Sequence, residues 1–275
     1  MRPSASTIVA GVAGLPIGHS LSPILHNAWI EAAGLNAVYV AFAPKDFTAF
    51  AAGCRGGVIR GLNVTAPFKQ QALKLAECVS PRAARAEAAN VLIFETSGEI
   101  AADNTDGEGL LAALAGQAGD FDPAAGPAVI LGAGGAARGA AAALIEAGAP
   151  SIRIVNRSAD RARGLADTLS GPLEILASEA LPGALGDANV VINATTADPK
   201  VPFEFAVAST VVMDMVYLPL TTPFLARARA RGLRTVDGLA MLIGQARPSF
   251  KALFGAAPPE IDVRTLAMDV LEGRT

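Results

Sequence analysis

The stretch Val129-Ile130-Leu131-Gly132-Ala133-Gly134-Gly135-Ala136-Ala137-Arg138-Gly139 decides the fold. Its apolar start reads as a strand, and the alanine-rich continuation reads as a helix. Between them Gly132 permits a tight turn, Gly134 lets backbone approach a pyrophosphate, and small Ala137 lets helix and strand pack closely. With Ala133, Gly135 and Ala136 this is the turn expected to hold a dinucleotide, its phosphates resting on the helix N-terminus. A further strand over 152–155 completes the β-α-β unit. In that context a dinucleotide cradle is a better reading than a structural glycine turn.

The next strand ends in Ile154-Val155-Asn156-Arg157-Ser158, with Arg161 one helical turn on. An NAD site would place Asp or Glu here, against the ribose hydroxyls. Arg157 and Arg161 instead suit a 2′-phosphate and Ser158 adds a hydroxyl, so NADP is the expected cofactor, with Asn156 among the residues expected to bind it.

Outward from this unit, short β-branched runs alternate with alanine-rich helical stretches, as in parallel sheets covered by helices. Strands are predicted over 7–12, 38–42, 58–64, 91–94, 129–131, 152–155, 190–192 and 211–213. Helices are predicted over 22–33, 67–75, 110–115, 136–147, 161–169, 223–230, 239–254 and 263–271. Ser22-Pro23 reads as an N-cap followed by the first helical residue, and the stretch 116–127, with Gly, Asp and Pro, reads as a connection. The fold class is α/β: two α/β domains flanking a cleft, the second a doubly wound dinucleotide-binding domain over 108–238. Residues 1–107 and 239–275 are expected to form the substrate-binding and catalytic domain.

Composition excludes several function classes. The 275 residues carry 22 Lys+Arg against 25 Asp+Glu, a balance that gives no basic footprint for nucleic acid. At 52% hydrophobic and 17% charged the chain can bury a large core and is not disordered. Residues 3–30 lack charged side chains, but Pro16, His19, Ser20, Ser22, Pro23, His26 and Asn27 would break or polarise a membrane span. Met1-Arg2 and the short, glycine-rich run 8–12 fall short of a signal peptide, so a cytoplasmic protein is expected. Cys54 and Cys78 read as buried thiols. His19 and His26 read as polar loop and helix-start residues, with no metal site implied.

Several separated motifs carry a resemblance. Ser20-Leu-Ser22-Pro23, Gly61-Leu-Asn63-Val-Thr65-Ala-Pro67-Phe68-Lys69, Ala89-Asn90, Asp103-Asn104-Thr105-Asp106-Gly107-Glu-Gly109, Gly132 to Gly139, Asn156-Arg157-Ser158, Asn193-Ala-Thr195, Tyr217 and Asp237-Gly238-Leu-Ala-Met241-Leu-Ile-Gly-Gln245 run in order over nearly the whole chain. In this the chain resembles the shikimate dehydrogenase family, which reduces 3-dehydroshikimate to shikimate with NADPH on the way to aromatic amino acids and chorismate. It departs from the family pattern at Val91, where a threonine is common, and at Ala197-Asp198-Pro199, where a glycine is usual.

The resemblance implies a role for each matched residue, and the chemistry is reasonable in each case. Lys69 and Asp106 would be the catalytic dyad, since ketone reduction by hydride leaves an alkoxide that must gain a proton. Ser20 and Ser22, two hydroxyls at a helix start, would hold the substrate carboxylate. Asn63, Thr65, Asn90 and Gln245 are neutral donors and acceptors suited to orienting a triol ring, and Tyr217 would stand near the carboxylate and the nicotinamide. Thr195, Met215, Gly238 and Met241 would line the cofactor. The alternatives are a quinate/shikimate or aminoshikimate dehydrogenase, a methylene-folate dehydrogenase, which Ser20, Ser22 and Asp106 disfavour, and a non-catalytic dinucleotide-binding sensor, which the Lys69 and Asp106 pair disfavours. The expected partner is a small molecule, with no nucleic acid or membrane, and the chain is expected to be a monomer or a homodimer.

Overall fold

The computed structural model describes residues 3–167 and 169–274, leaving aside the side chains at 159 and 161. The chain divides into two compact units, Met1–Thr105 with Gln245–Thr275, and Asp106–Gly244.

The first unit opens with β1 (Ile8–Ala13), α1 (Ser22–Ala32), β2 (Ala37–Phe42), α2 (Phe47–Gly53), β3 (Gly61–Val64), α3 (Lys69–Leu75), β4 (Cys78–Val79), α4 (Pro81–Ala86), β5 (Val91–Phe94) and β6 (Ile100–Asp103). The sheet runs β2-β1-β3-β5-β6-β4. The alternation of strands and helices predicts a parallel sheet, but β5 is antiparallel to both β3 and β6. The reason is the short turn from β5 to β6: two neighbouring strands joined without a crossover helix must run in opposite directions. That reversal brings the start of β5 to the same edge as the carboxyl ends of β1, β3 and β6, because Ala13 pairs with Val64, Asn63 with Val91, and Val91 with Asp103.

Local chemistry explains the helices. Asp46 caps α2 and Ser80 caps α4 by accepting from the N–H of Ala49 and Ala83. On α1 the inward residues Leu25, His26, Trp29 and Ile30 recur at helical spacing. Ser22 is not the cap expected from sequence. Leu21 holds that position without a side-chain bond, and Ser22 is the first helical residue. Nor does Pro67 open a helix: the Phe68 N–H closes a turn onto the Thr65 carbonyl, and α3 starts at Lys69. The strand expected from residue 58 begins at Gly61.

The second unit holds α5 (Asp106–Ala118), β7 (Ala128–Leu131), α6 (Gly135–Glu146), β8 (Ile152–Val155), α7 (Ala159–Ala166), β9 (Leu173–Leu176), α8 (Leu181–Leu185), β10 (Val190–Asn193), β11 (Val211–Asp214), α9 (Pro223–Ala230), β12 (Arg234–Val236) and the start of α10 (Gly238–Phe254). The rest of α10 and α11 (Val263–Leu271) belong to the first unit. The sheet of the second unit, β12-β11-β10-β7-β8-β9, is parallel throughout and has the strand order of a Rossmann domain, with the chain reversing direction across the sheet between β7 and β10. Strands β7, β10 and β11 are each buried along their length, as a sheet covered on both faces requires.

The helix expected over 110–115 runs from Asp106 to Ala118, taking in the glycines of the polar run. Its acidic first turn suits the positive end of the helix, and burial of Leu110, Ala113, Leu114 and Ala118 offsets the glycine cost.

Candidate active site

In the first unit the candidate residues gather where β1, β3 and β6 end and β5 begins. The Thr65 N–H donates to the Ala13 carbonyl, the Leu15 N–H to the Ala66 carbonyl, and the Val64 N–H to the Asn90 carbonyl. The Ala89 N–H donates to the Lys69 carbonyl at 2.9 Å, tying the first turn of α3 to the segment that carries Asn90. Ser20 stands between β1 and α1 and Ser22 opens α1, and the Ser22 N–H donates to Ser20 Oγ at 3.3 Å. Lys69 and Thr65 are half-buried, whereas Asn63, Asn90 and Ser22 are buried.

Behind these residues lies a buried polar network. The Tyr39 hydroxyl donates to Asn63 Oδ1 at 2.7 Å, and Asn63 Nδ2 donates to the Asn90 carbonyl and to Ser249 Oγ. The Thr105 N–H donates to Asn90 Oδ1 at 2.8 Å. Asn90 Nδ2 donates to Thr105 Oγ1 at 2.9 Å and to Gln245 Oε1 at 3.2 Å. Ser249 Oγ lies 3.0 Å from Thr105 Oγ1 and donates to the Gln245 carbonyl one turn back along α10. The Tyr39 phenol stays protonated, since burial holds its pKa well above the usual range.

Sequence reading missed Tyr39, Thr105 and Ser249. Thr105 lies inside the quoted polar run, and Ser249 follows Gln245 by four residues, the spacing that puts both on one helix face.

A second clamp fixes the end of β6. Arg82 grips Asp103 through Nε and Nη2, at 2.6 and 2.5 Å, and Ser80 donates to the same carboxylate. These partners hold the Asp103 carboxyl below the usual carboxylate range despite desolvation. The next residue, Asn104, donates to the Ala88 carbonyl at 2.8 Å, so the segments before Asn90 and before Asp106 are pinned together.

Not every sequence expectation about this unit holds. His26 is fully buried on the inner face of α1, stacked on Tyr39 with ring centroids 4.1 Å apart. Neither of its ring nitrogens has a hydrogen-bond partner. Cys54 is buried and donates to the Phe50 carbonyl, but Cys78 is exposed, because β4 is a two-residue edge strand with little to cover it. Val91, where the family pattern has threonine, is fully buried at the start of β5.

In the second unit the candidate residues stand at the carboxyl ends of β7, β8, β10 and β11, around the point where strand order reverses. Gly132 follows Leu131 with φ +115°, and a Cβ there would meet Thr195 Cγ2 at 2.8 Å. Gly134 precedes α6 as its N-cap, and no side chain caps the helix. A Cβ on Gly134 or Gly135 would meet nothing, so that face of the turn is open. The partly buried Ala133 packs on the core beneath. Asn156 Nδ2 folds back onto the Ser158 carbonyl at 2.9 Å, and Arg157 between them is exposed. The side chain of Arg161 lies outside the described residues. An open glycine turn on a bare helix N-terminus, with an arginine and no carboxylate ending the next strand, fits a dinucleotide bearing a 2′-phosphate.

Asn193, the last residue of β10, is a buried hub. Its Oδ1 accepts from the Thr195 N–H and hydroxyl, and its Nδ2 donates to the Ala197 carbonyl and to Asp214. Asp214 in turn accepts from the Val216 N–H and Thr222, and its pKa is raised by burial. These bonds shape the loop carrying Met215 and Tyr217. Gly238 lies so close to that loop that a Cβ would stand 2.6 Å from the Met215 carbonyl oxygen. Met241 packs partly buried against the core of this unit. Where the family's glycine is absent, Asp198 is held by Arg227 and Lys200. Asp106, buried on the first turn of α5, faces Gly139 of α6, where a Cβ would lie 3.7 Å from its own.

Among the described residues no group of His, Cys, Asp or Glu is placed to hold a metal ion, and no helix is long and apolar enough to cross a membrane.

Residues 12–92 match the shikimate dehydrogenase substrate binding domain, and residues 116–216 match the shikimate / quinate 5-dehydrogenase family. The chain is 54% identical over 277 residues to a protein of Caulobacter vibrioides named shikimate dehydrogenase (NADP(+)), covering 98% of this chain and 97% of that one. Among solved structures, shikimate 5-dehydrogenase of Thermus thermophilus in complex with NADP(H) and shikimate matches with TM-score 0.84 and 33% identity over 98% of this chain and 99% of that one. Quinate dehydrogenase of Corynebacterium glutamicum in complex with NAD matches with TM-score 0.85 and 26% identity over 97% of this chain and 99% of that one.

Proposed function

The chain belongs to the shikimate dehydrogenase family, and on that premise we propose that it catalyses the reversible NADP-dependent interconversion of 3-dehydroshikimate and shikimate in aromatic amino acid biosynthesis. The observation that carries this reading is the gathering of Ser20, Thr65, Lys69 and Asn90 at one edge of the first sheet, with Gln245 joined to Asn90 through the buried network. Such a set can take a carboxylated, hydroxylated ring, which the glycine turn of the second unit alone would not specify.

Ser20 and Ser22 bind the carboxylate. Thr65, Asn90, Gln245 and Tyr217 orient the ring, and Asn63, whose two amide N–H groups are both engaged by Asn90 and Ser249, supports them from behind. Lys69 and Asp106 are the acid/base pair: Lys69 gives a proton to the C3 oxygen during reduction and takes it back during oxidation. Gly132 to Ala136 and the α6 N-terminus hold the pyrophosphate, while Asn156, Arg157, Ser158 and Arg161 hold the 2′-phosphate. Thr195, Met215, Gly238 and Met241 line the nicotinamide end. When bound, NADP supplies the hydride or accepts it. The two free thiols suit a reducing compartment, and the cytoplasm is the proposed location of a monomer or homodimer.

The test is the initial rate of NADP reduction by the purified protein with shikimate, run beside quinate and beside NAD. Turnover with shikimate and NADP exceeding the other combinations is expected. Equal or greater turnover with quinate and NAD would assign the chain to quinate oxidation, and NADP binding without turnover would make it a sensor.

A further inference from the structure

We propose that Ser249, a residue with no place in the acid/base pair or the cofactor cradle, is a positioning residue that sets the amides of Asn90 and Gln245 for ring recognition. The inference rests on the substrate reading above, in which those two amides touch the ring.

Ser249 is fully buried, yet its hydroxyl sits at a junction. It accepts from Asn63 Nδ2 at 2.9 Å, lies 3.0 Å from Thr105 Oγ1, and donates to the Gln245 carbonyl at 2.9 Å. Donor and acceptor ends of the surrounding amides follow from partners that can play only one role. The Asn90 carbonyl only accepts, so Asn63 must present its Nδ2 there and its Oδ1 to the Tyr39 hydroxyl. The Thr105 N–H only donates, so Asn90 must present Oδ1 to it and Nδ2 to Thr105 Oγ1 and Gln245 Oε1. Gln245 is thereby fixed with its oxygen toward Asn90.

Ser249 supplies the second acceptor of Asn63 Nδ2 in this order and a contact of Thr105 Oγ1. Without its oxygen, one Asn63 N–H is left buried and unpaired, at a cost of about 1–3 kcal/mol for such a group. Asn63 can escape that cost only by rotating, which would break its bond to the Asn90 backbone. Thr105 Oγ1 would lose one contact in the same step and keep its bond to the Gln245 carbonyl at 3.0 Å. The disturbance therefore runs along named bonds to Asn90 and Gln245, while the cofactor turn, built on a different sheet, has no bond in this chain.

The test is a double-mutant cycle on the full chain with Ser249→Ala, Gln245→Ala and the pair, reading KM for shikimate, KM for NADP, kcat and Tm. Ser249→Ala is expected to raise KM for shikimate about five- to tenfold, the effect of roughly one lost hydrogen bond, with kcat within about twofold and KM for NADP unchanged. In the Gln245→Ala background the further rise should shrink to about twofold or less. A lower Tm with KM for shikimate unchanged, or an equal rise in both backgrounds, would overturn the proposal. Should Ser249→Ala fail to fold, Tyr39→Phe removes only the hydroxyl at the far end of the chain. A rise of about two- to threefold in KM for shikimate supports the relay, and no rise overturns it. If Gln245→Ala alone leaves KM for shikimate unchanged, the substrate reading has failed instead.

Discussion

The Thr105 backbone donates to the Asn90 side chain at 2.8 Å across 15 residues of sequence, and both are buried. Thr105 ends the first run of the chain through the first unit, directly before Asp106, and Asn90 precedes β5. The bond fixes Thr105, the end of that run, relative to an amide of the proposed ring site.

Lys69→Ala should lower kcat for shikimate oxidation by about 10²- to 10⁴-fold, the range for loss of a general acid–base group, with a smaller change in KM. Lys69 is the first residue of α3 and only half-buried, so the circular dichroism spectrum should match the wild type. Retention of more than a tenth of kcat would remove Lys69 from proton transfer.

Two glycines of the same turn should behave differently. Gly132→Ala places a Cβ at φ +115° and 2.8 Å from Thr195 Cγ2, and strain of about 1–3 kcal/mol should lower Tm by roughly 3–10 °C. At Gly134 the backbone is extended and a Cβ meets nothing, so Gly134→Ala should leave Tm within about 2 °C and raise KM for NADP. Thermal scans and cofactor titrations separate the two effects; an unchanged KM in Gly134→Ala would mean that no pyrophosphate approaches there.

Arg157→Ala removes an exposed guanidinium at the end of β8. Loss of a charge-assisted bond of about 1.5–3 kcal/mol should raise KM for NADP roughly ten- to hundredfold. KM for NAD, which lacks the 2′-phosphate, should move little. An equal rise for both cofactors would contradict the phosphate role.

His26 gives the chain an acid weakness. Burial lowers its pKa from 6.5 to about 3 in the folded state, so between those values the unfolded chain binds the extra proton. This contribution to stability is complete above pH 6.5 and declines as the pH falls toward 3, with a slope approaching about 1.4 kcal/mol per pH unit. His26→Phe keeps a ring stacked on Tyr39 and removes two unpartnered nitrogens. It should raise the urea midpoint at pH 5 more than at pH 8; an equal shift at both would rule out the titration.

The longer helices and most strands of the two sheets could be read from the sequence because their patterns are local, whereas β4, β6, β9, β12, α2, α4 and α8 carry too short or too weak a pattern and are not predicted from it. The glycine turn at 132–135, the arginine in place of an acid after β8, and the strand and helix periods each depend on residues a few positions apart. The helix over Pro223–Ala230 needs only its Thr222 cap and the following proline, and its bounds were read without the fold. Long-range pairing decided the rest. The reversal of β5 and the depth of His26 depend on partners far along the chain, and so does the exposure of Cys78. Ser249 looked like one more helix residue. The positioning role proposed for it rests on its bonds to Thr105 and Asn63, 144 and 186 residues away, and only the folded chain brings those atoms within hydrogen-bond reach.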